Sequence, residues 1–99
     1  MTEFQWDQNK NRSNLQKHGA TFEEGKETFD DPNGVTFIGN STSEARFIRI
    51  GKTASRILLA VVFTVRKTIV RIISVRSPRK NEVKSYLENS LSNKDDENS

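Results

Sequence analysis

Over the first 30 residues the apolar positions recur at helical intervals, and from residue 35 onward they follow the two-residue period of strands, so the chain divides into a helical start and a sheet. Asp7 stands as the N-cap of a helix that runs to about Lys17 or His18, where Gly19 is placed to end it in the left-handed conformation. Positions 11, 14, 15 and 18 share one face of that helix yet read Asn11, Asn14, Leu15 and His18, so its inward stripe is largely polar. Thr21 and Glu24 carry the capping-box signature of a second, short helix with Phe22 and Phe29 on its buried side, and the run from Asp30 to Gly34 stops it. Strands are predicted near 35–39, 44–50, 56–66 and 69–76, with 51–55 and Lys67-Thr68 as turns, in an antiparallel meander. The nearly unbroken apolar run from Ile57 to Phe63 is the mark of a central strand covered on both faces. Ser77 then caps a last helix with Pro78 at its first position and Val83, Tyr86, Leu87 and Leu91 as its apolar stripe. The expected fold class is α+β: two N-terminal helices, a four-stranded antiparallel sheet and a C-terminal helix. These form one domain over residues 1–91, followed by a flexible polar tail over 92–99 with nothing to bury.

Composition removes several classes of function. With 99 residues the core is modest, which argues against a second domain or a long catalytic lid. The absence of cysteine excludes disulfides, thiol nucleophiles and thiolate zinc sites, and a single histidine argues against a histidine-based metal site. No apolar run approaches the ~20 residues that span a bilayer, and the N-terminal segment lacks the basic start of a signal peptide, so a cytoplasmic protein without membrane contact is expected. There is no glycine-rich nucleotide loop, no Gly-x-Ser-x-Gly elbow and no metal-ligand spacing, so no metal or other cofactor is expected.

Charge is distributed unevenly. Residues 44–80 carry ten Lys/Arg against the single Glu44, a net of +9 inside an overall +3, while the segments on either side are each at −3. A basic patch confined to the predicted sheet suggests a surface for a polyanion. If Lys67-Thr68 is a two-residue turn, Thr64, Arg66 and Arg71 fall on one face of the sheet, and Ser74 and Arg76 on the other. Arginine suits phosphate because its planar fork donates paired hydrogen bonds and stays charged through a phosphorane-like transition state. His18 brings the one side-chain type whose unperturbed pKa allows proton exchange near neutrality, as cleavage of RNA through its 2′-hydroxyl requires. It serves equally as a C-terminal cap of the first helix. Glu44, the sole carboxylate of the basic segment, is a candidate general base or the partner of a nearby arginine. Trp6 and Tyr86 are better read as core packing than as base-stacking platforms, and Asp30-Asp31 as a helix stop rather than a magnesium site.

Taken in order, Phe4-x-Trp6-Asp7, Asn14-x-x-Lys17-His18-Gly19-x-x-Phe22-Glu23-Glu24, Phe29-x-Asp31-Pro32, Glu44-x-Arg46 and Arg71-Ile-Ile-Ser-x-Arg76, followed by Glu82 and Tyr86, resemble the BrnT toxins of bacterial type II toxin–antitoxin systems. The resemblance spans residues 4 to about 87. It implies a RelE-like ribonuclease fold, metal-free cleavage of RNA that arrests translation, and neutralisation by a BrnA antitoxin that binds operator DNA through a ribbon-helix-helix domain. Carried over by position, the family's polar motif residues fall on His18, Glu44, Arg46, Arg66, Arg71 and Arg76, which implies catalytic roles for Arg66 and Arg76 at the phosphate and for Glu44 or His18 in proton transfer, and RNA-backbone binding by Arg46 and Arg71; Lys17, Arg49, Arg79 and Lys80 are expected to add RNA-binding contacts. The chain has Val65 where members of the family often carry a glutamate, which leaves open an alternative: a toxin-like module that binds antitoxin or RNA with weak or no catalysis.

Overall fold

The computed structural model describes residues 2–40 and 43–98. Its elements run β1 (Glu3–Gln5), α1 (Gln8–His18), α2 (Phe22–Glu27), a 3-10 turn (Thr28–Asp30), β2 (Val35–Gly39), β3 (Arg46–Lys52), β4 (Leu58–Arg66), β5 (Ile69–Arg76) and α3 (Lys80–Asn98). The expected local signals act as read. The Asp7 carboxylate accepts from the backbone N–H groups of Asn9 and Lys10, and Gly19 closes α1 at φ 71°. Thr21 and Glu24 make both bonds of the capping box. Lys67 takes the left-handed conformation, φ 57°, in the tight turn that opposes Arg66 to Ile69 and Thr64 to Arg71.

The sheet has five strands in the order β1-β5-β4-β3-β2, not four. The additional strand, β1, pairs parallel with β5, Phe4 opposite Val70, so the sheet is mixed and the expected all-antiparallel meander describes only β2 to β5. Three residues are too few to display a two-residue period, and the partner lies more than sixty positions away. Phe29 belongs to the 3-10 turn rather than to α2, yet packs edge-on against both Phe4 and Phe63.

One face of the sheet is covered by α1 and α2 over Phe22, Leu59, Val61, Phe63, Val70, Ile72 and Val75. Gly25 permits the close approach of α2, since a Cβ there would stand 2.6 Å from Val75 Cγ2. On the other face α3 covers only one end, where Tyr86 packs with Ile50 and Ala60 against Val35 and Phe37. Its position is set by Tyr86 Oη donating to Asp31 at 2.7 Å, Asn89 donating to the Asn33 carbonyl, and Asn93 to the Asn33 side chain. Burial and this bond to Asp31 push the Tyr86 hydroxyl up to about 12.

The last helix departs from expectation at both ends. It begins at Lys80, because Glu82, not Ser77, supplies the first-turn contact by accepting from the Arg79 N–H at 2.7 Å. Residues 92–98 of the expected tail continue the helix, the next turn after Asn89 still reaching Asn33 through Asn93; Ser99, like Met1 at the other end, lies outside the described residues. Of the expected stripe, Tyr86 is buried and Val83 half-buried, but Leu87 and Leu91 are 53% and 61% exposed.

The polar stripe of α1 has a structural use. Asn11 accepts from the Phe22 N–H and donates to Glu23, joining α1 to the start of α2. Asn14 donates to the carbonyls of Ala20 and Val75, and accepts from the Val75 N–H at 3.1 Å. β1 pairs with β5 only as far as Arg71, so the Asn14 amide satisfies the backbone of Val75 in place of a neighbouring strand. Asn14→Ala is expected to cost about 2–3 kcal/mol in chemical denaturation, since it leaves buried backbone groups unpaired. A leucine there is expected to cost at least as much despite adding apolar area.

Candidate functional site

The ladder between β4 and β5 contains an irregularity that decides the geometry of the charged face. Phe63 opposes Ile72 but Val62 opposes Ser74, so Ile73 is an extra residue on β5 and the alternation of that strand shifts by one. Arg71 therefore shares a face with Ser74 and Arg76, and the expectation that Arg76 points away from Arg66 and Arg71 is corrected. Burial agrees, because Val70, Ile72 and Val75 all enter the core beneath α1 and α2. The bulge has no clear trace in the sequence, since Ile69, Val70, Ile72, Ile73 and Val75 are apolar on both faces.

The open face now contains, across neighbouring strands, Arg46 on β3, Thr64 and Arg66 on β4, and Arg71 and Arg76 on β5. Between the hairpin end and the end covered by α3 runs a groove of about 430 Å3, floored by Phe37, Ile48 and Val62 and bounded on the helix side by Arg76, Arg79, Asn81 and Glu82. Thr64 and Arg76 are separated along the strands by four residue steps of β4, about 13 Å at the usual rise. The result is an open face with cationic side chains towards both ends and an apolar-floored groove beside Arg76, a shape that suits a single strand of nucleic acid.

Arg76 is held firmly. Its guanidinium donates two parallel bonds to Glu82, at 2.8 and 3.0 Å, and one to the carbonyl of Ser77. The pair is mostly out of solvent, with side chains 17% and 5% exposed. The hydrogen bonds from Arg76, aided by the Arg79 N–H, hold the Glu82 carboxyl below the usual carboxylate range in spite of its burial, and Glu82 in turn raises Arg76. Glu82 was quoted in the family motif but not among the site residues. A carboxylate early in a helix reads as a capping residue, and its role in orienting Arg76 becomes visible only in three dimensions.

At the other end Arg66 donates to both oxygens of Glu44, at 3.0 and 3.3 Å, in an exposed pair. Glu44 lies in the loop before β3, whose first residue is Arg46 rather than residue 44. The Arg66 hydrogen bond, with the charges of Arg46 and Arg71 behind it, lowers the Glu44 carboxyl. Thr64, opposite Arg71, is 1% exposed, and its hydroxyl has no hydrogen-bond partner among the described residues.

Other predicted residues lie apart. Arg49 points to the opposite face, where it donates to the carbonyls of Thr28 and Asp31 and lies 5.7 Å from the Phe29 ring centre; burial lowers its pKa. It secures the 3-10 turn rather than the charged face. His18 and Lys17 are exposed at the end of α1, one turn beyond Asn14, and Lys80 is exposed at the start of α3. Asp31 accepts from Lys52, Asn33 and Tyr86, so it organises structure, and no group of three or more metal-ligating side chains occurs among the described residues.

Comparison with known proteins agrees with this architecture. The family model described as the ribonuclease toxin BrnT of type II toxin–antitoxin systems matches residues 6–82. The 1.1 Å crystal structure of the Brucella abortus ribonuclease toxin BrnT superposes with a TM-score of 0.59 at 23% identity, covering 81% of this chain and 100% of that one. No curated protein matches the sequence.

The coupling of Glu82 to Arg76 has a defined pH signature. Because the Glu82 carboxyl is lowered in the folded state, its contribution is fully present above the ordinary glutamate range and is lost as pH falls through the depressed value. On acidification from about pH 6 to about pH 3 the wild-type chain is therefore expected to lose more stability than Glu82→Gln, which should already be weaker by about 2 kcal/mol at neutral pH. Urea denaturation across that range checks both.

Proposed function

The chain belongs to the BrnT family of ribonuclease toxins of type II toxin–antitoxin systems, and on that premise we propose that it is an endoribonuclease that cuts RNA without a metal ion and thereby arrests translation in the cytoplasm. What supports the reading is one observation: Arg46, Arg66, Arg71 and Arg76 stand on the same open face, where Arg76 borders an apolar-floored groove. A toxin of such a system has an antitoxin partner. We assign that role to a BrnA-type ribbon-helix-helix protein that covers the basic face with an acidic or amphipathic segment and itself binds the operator DNA.

In the proposed reaction the ribose 2′-oxygen attacks the adjacent phosphorus and the 5′-oxygen leaves, so the products carry a 2′,3′-cyclic phosphate and a 5′-hydroxyl. Negative charge grows on the non-bridging oxygens, and donors already fixed in place stabilise it without reorganising. Arg76 meets that requirement through its doubly bonded Glu82. At the hairpin end Arg46, Arg66 and Arg71 hold a neighbouring phosphate, with Arg79 and Lys80 extending the positive field at the helix end. His18, which lies apart from the four arginines, is kept for the proton transfer on the family resemblance alone. Arg49, whose guanidinium holds the turn before β2, has no part in RNA contact, and Glu44, paired with Arg66, is not assigned the base.

The test is incubation of the purified chain with a labelled RNA in the presence of EDTA. Cleavage that leaves 2′,3′-cyclic phosphate ends is expected, reduced about 10²-fold or more by Arg76→Ala. That variant strands the buried Glu82, so Arg76→Gln combined with Glu82→Gln serves as the folded control; full activity in it would overturn the role of Arg76. RNA that is bound tightly by the wild-type chain but left whole would overturn catalysis and favour a binding module. His18→Gln is expected to slow cleavage by about 10² while leaving RNA affinity unchanged.

A further inference from the structure

Within the charged face the hairpin end and the helix end differ in how their arginines are engaged. Glu82, which holds Arg76, is 4% exposed and also caps α3, so that pair is part of the fold. Glu44, which holds Arg66, comes from a loop, is 39% exposed in its side chain, and is itself surrounded by cations, since Arg46 and Arg71 both act on it. A carboxylate gripped by the fork of one arginine and approached by two others occupies the position that a phosphate group would take, with the same two-oxygen geometry. On the same face of β4, two residues before Arg66, stands Thr64. Its register partner is Arg71, and the residue after Arg46 pairs with the residue before Thr64, so this hydroxyl lies between the two arginines. A buried hydroxyl without a partner is a standing penalty in a folded protein, and such a group is explained when an acceptor arrives with the ligand.

We propose that Arg46, Arg66, Arg71 and Thr64 form a subsite for one phosphodiester of the RNA strand, and that Glu44 is its resident stand-in, displaced when RNA binds. This rests on the RNA reading above but assigns Glu44 a role opposite to that of a catalytic base. Glu44 keeps the three arginines from repelling one another in the free protein and must swing out on its loop for the phosphate to enter. The bound phosphate then takes the two Arg66 bonds and accepts from the Thr64 hydroxyl. Sequence discrimination would arise elsewhere, along the apolar floor, because this subsite contacts only backbone.

Affinity for a 2′-O-methyl RNA oligonucleotide, which cannot be cut, tests the subsite separately from catalysis. Glu44→Gln is expected to bind this probe about three- to tenfold tighter, the size of an exposed ion pair plus a removed repulsion. In an Arg66→Gln background the gain from Glu44→Gln is expected to shrink to less than half, because the contact being released is gone, whereas a general charge effect would persist in full. Thr64→Val is expected to weaken the probe severalfold while raising the thermal midpoint, a combination that a merely structural hydroxyl would not give. Unchanged or weaker binding by Glu44→Gln, or a gain that persists fully in the Arg66→Gln background, overturns the subsite. Loss of cleavage with probe affinity unchanged overturns it in favour of a catalytic base. If the wild-type chain cuts no RNA but the probe binds as described, the subsite stands and the catalytic reading is the one that fails.

Discussion

Between β4 and β5 one residue has no opposite number, and the arrangement of the charged face follows from that slip. In a regular ladder Arg71 and Arg76 differ by an odd number and would lie on opposite sides of the sheet. Inserting Ile73 reverses the phase of everything after it, so that Val75 enters the core while Arg76 joins Arg71 outside. A bulge leaves backbone groups unpaired, and here the strand beyond it also lacks a neighbour, because β1 ends at Gln5 opposite Arg71. Asn14 compensates with a side-chain amide that bonds the Val75 N–H and C=O as a strand would. The polar stripe on α1 and the shared arginine face are thus two parts of one solution.

The sheet divides its labour by face. Beneath α1 and α2 it is packed with aromatic rings in edge contact, from Trp6 and Phe22 to Phe29 and Phe63, and this side contains most of the core. On the other side a single helix covers one end through Tyr86 and the remainder stays open. The helix is tied at the far end by Asp31 and Asn33 and at the near end by Glu82 with Arg76, so the arginine that borders the groove is also a tether of α3. Such double use limits how far Arg76 can reorient, which suits a group that must be in place before charge develops.

Much of this was legible in the residues. Asp7, Gly19, the Thr21–Glu24 box and the Lys67-Thr68 turn act locally, through their own backbone, and each does in the structure what its chemistry predicts. What escaped depends on partners distant in the chain. β1 exists because β5 offers an edge, α3 starts where Glu82 can bond Arg79, and residues 92–98 stay helical in a stretch whose preceding turns are held at Asn33. The arginines were selected by charge, which has no direction. Phe47, Ile48 and Ile50 are apolar on both faces of β3, so nothing in the local pattern told Arg46, which faces the groove, from Arg49, which is folded over Phe29. The phase of β5 was hidden for the same reason, because Ile72, Ile73 and Val75 are all apolar.

The chain has one tryptophan, and its place gives the molecule a built-in optical division. Trp6 precedes the Asp7 cap and meets the Phe22 ring edge-on at 6.2 Å, with its indole N–H buried and without a hydrogen-bond partner, on the helix-covered side of the sheet. Its emission therefore reports the seating of α1 and α2 against the strands. The arginine face lies across the full thickness of the sheet, so ligands in its groove meet Phe37 but not the indole. Tryptophan fluorescence is in consequence a measure of folding that is insulated from occupancy, and the two properties can be followed in the same sample without interfering.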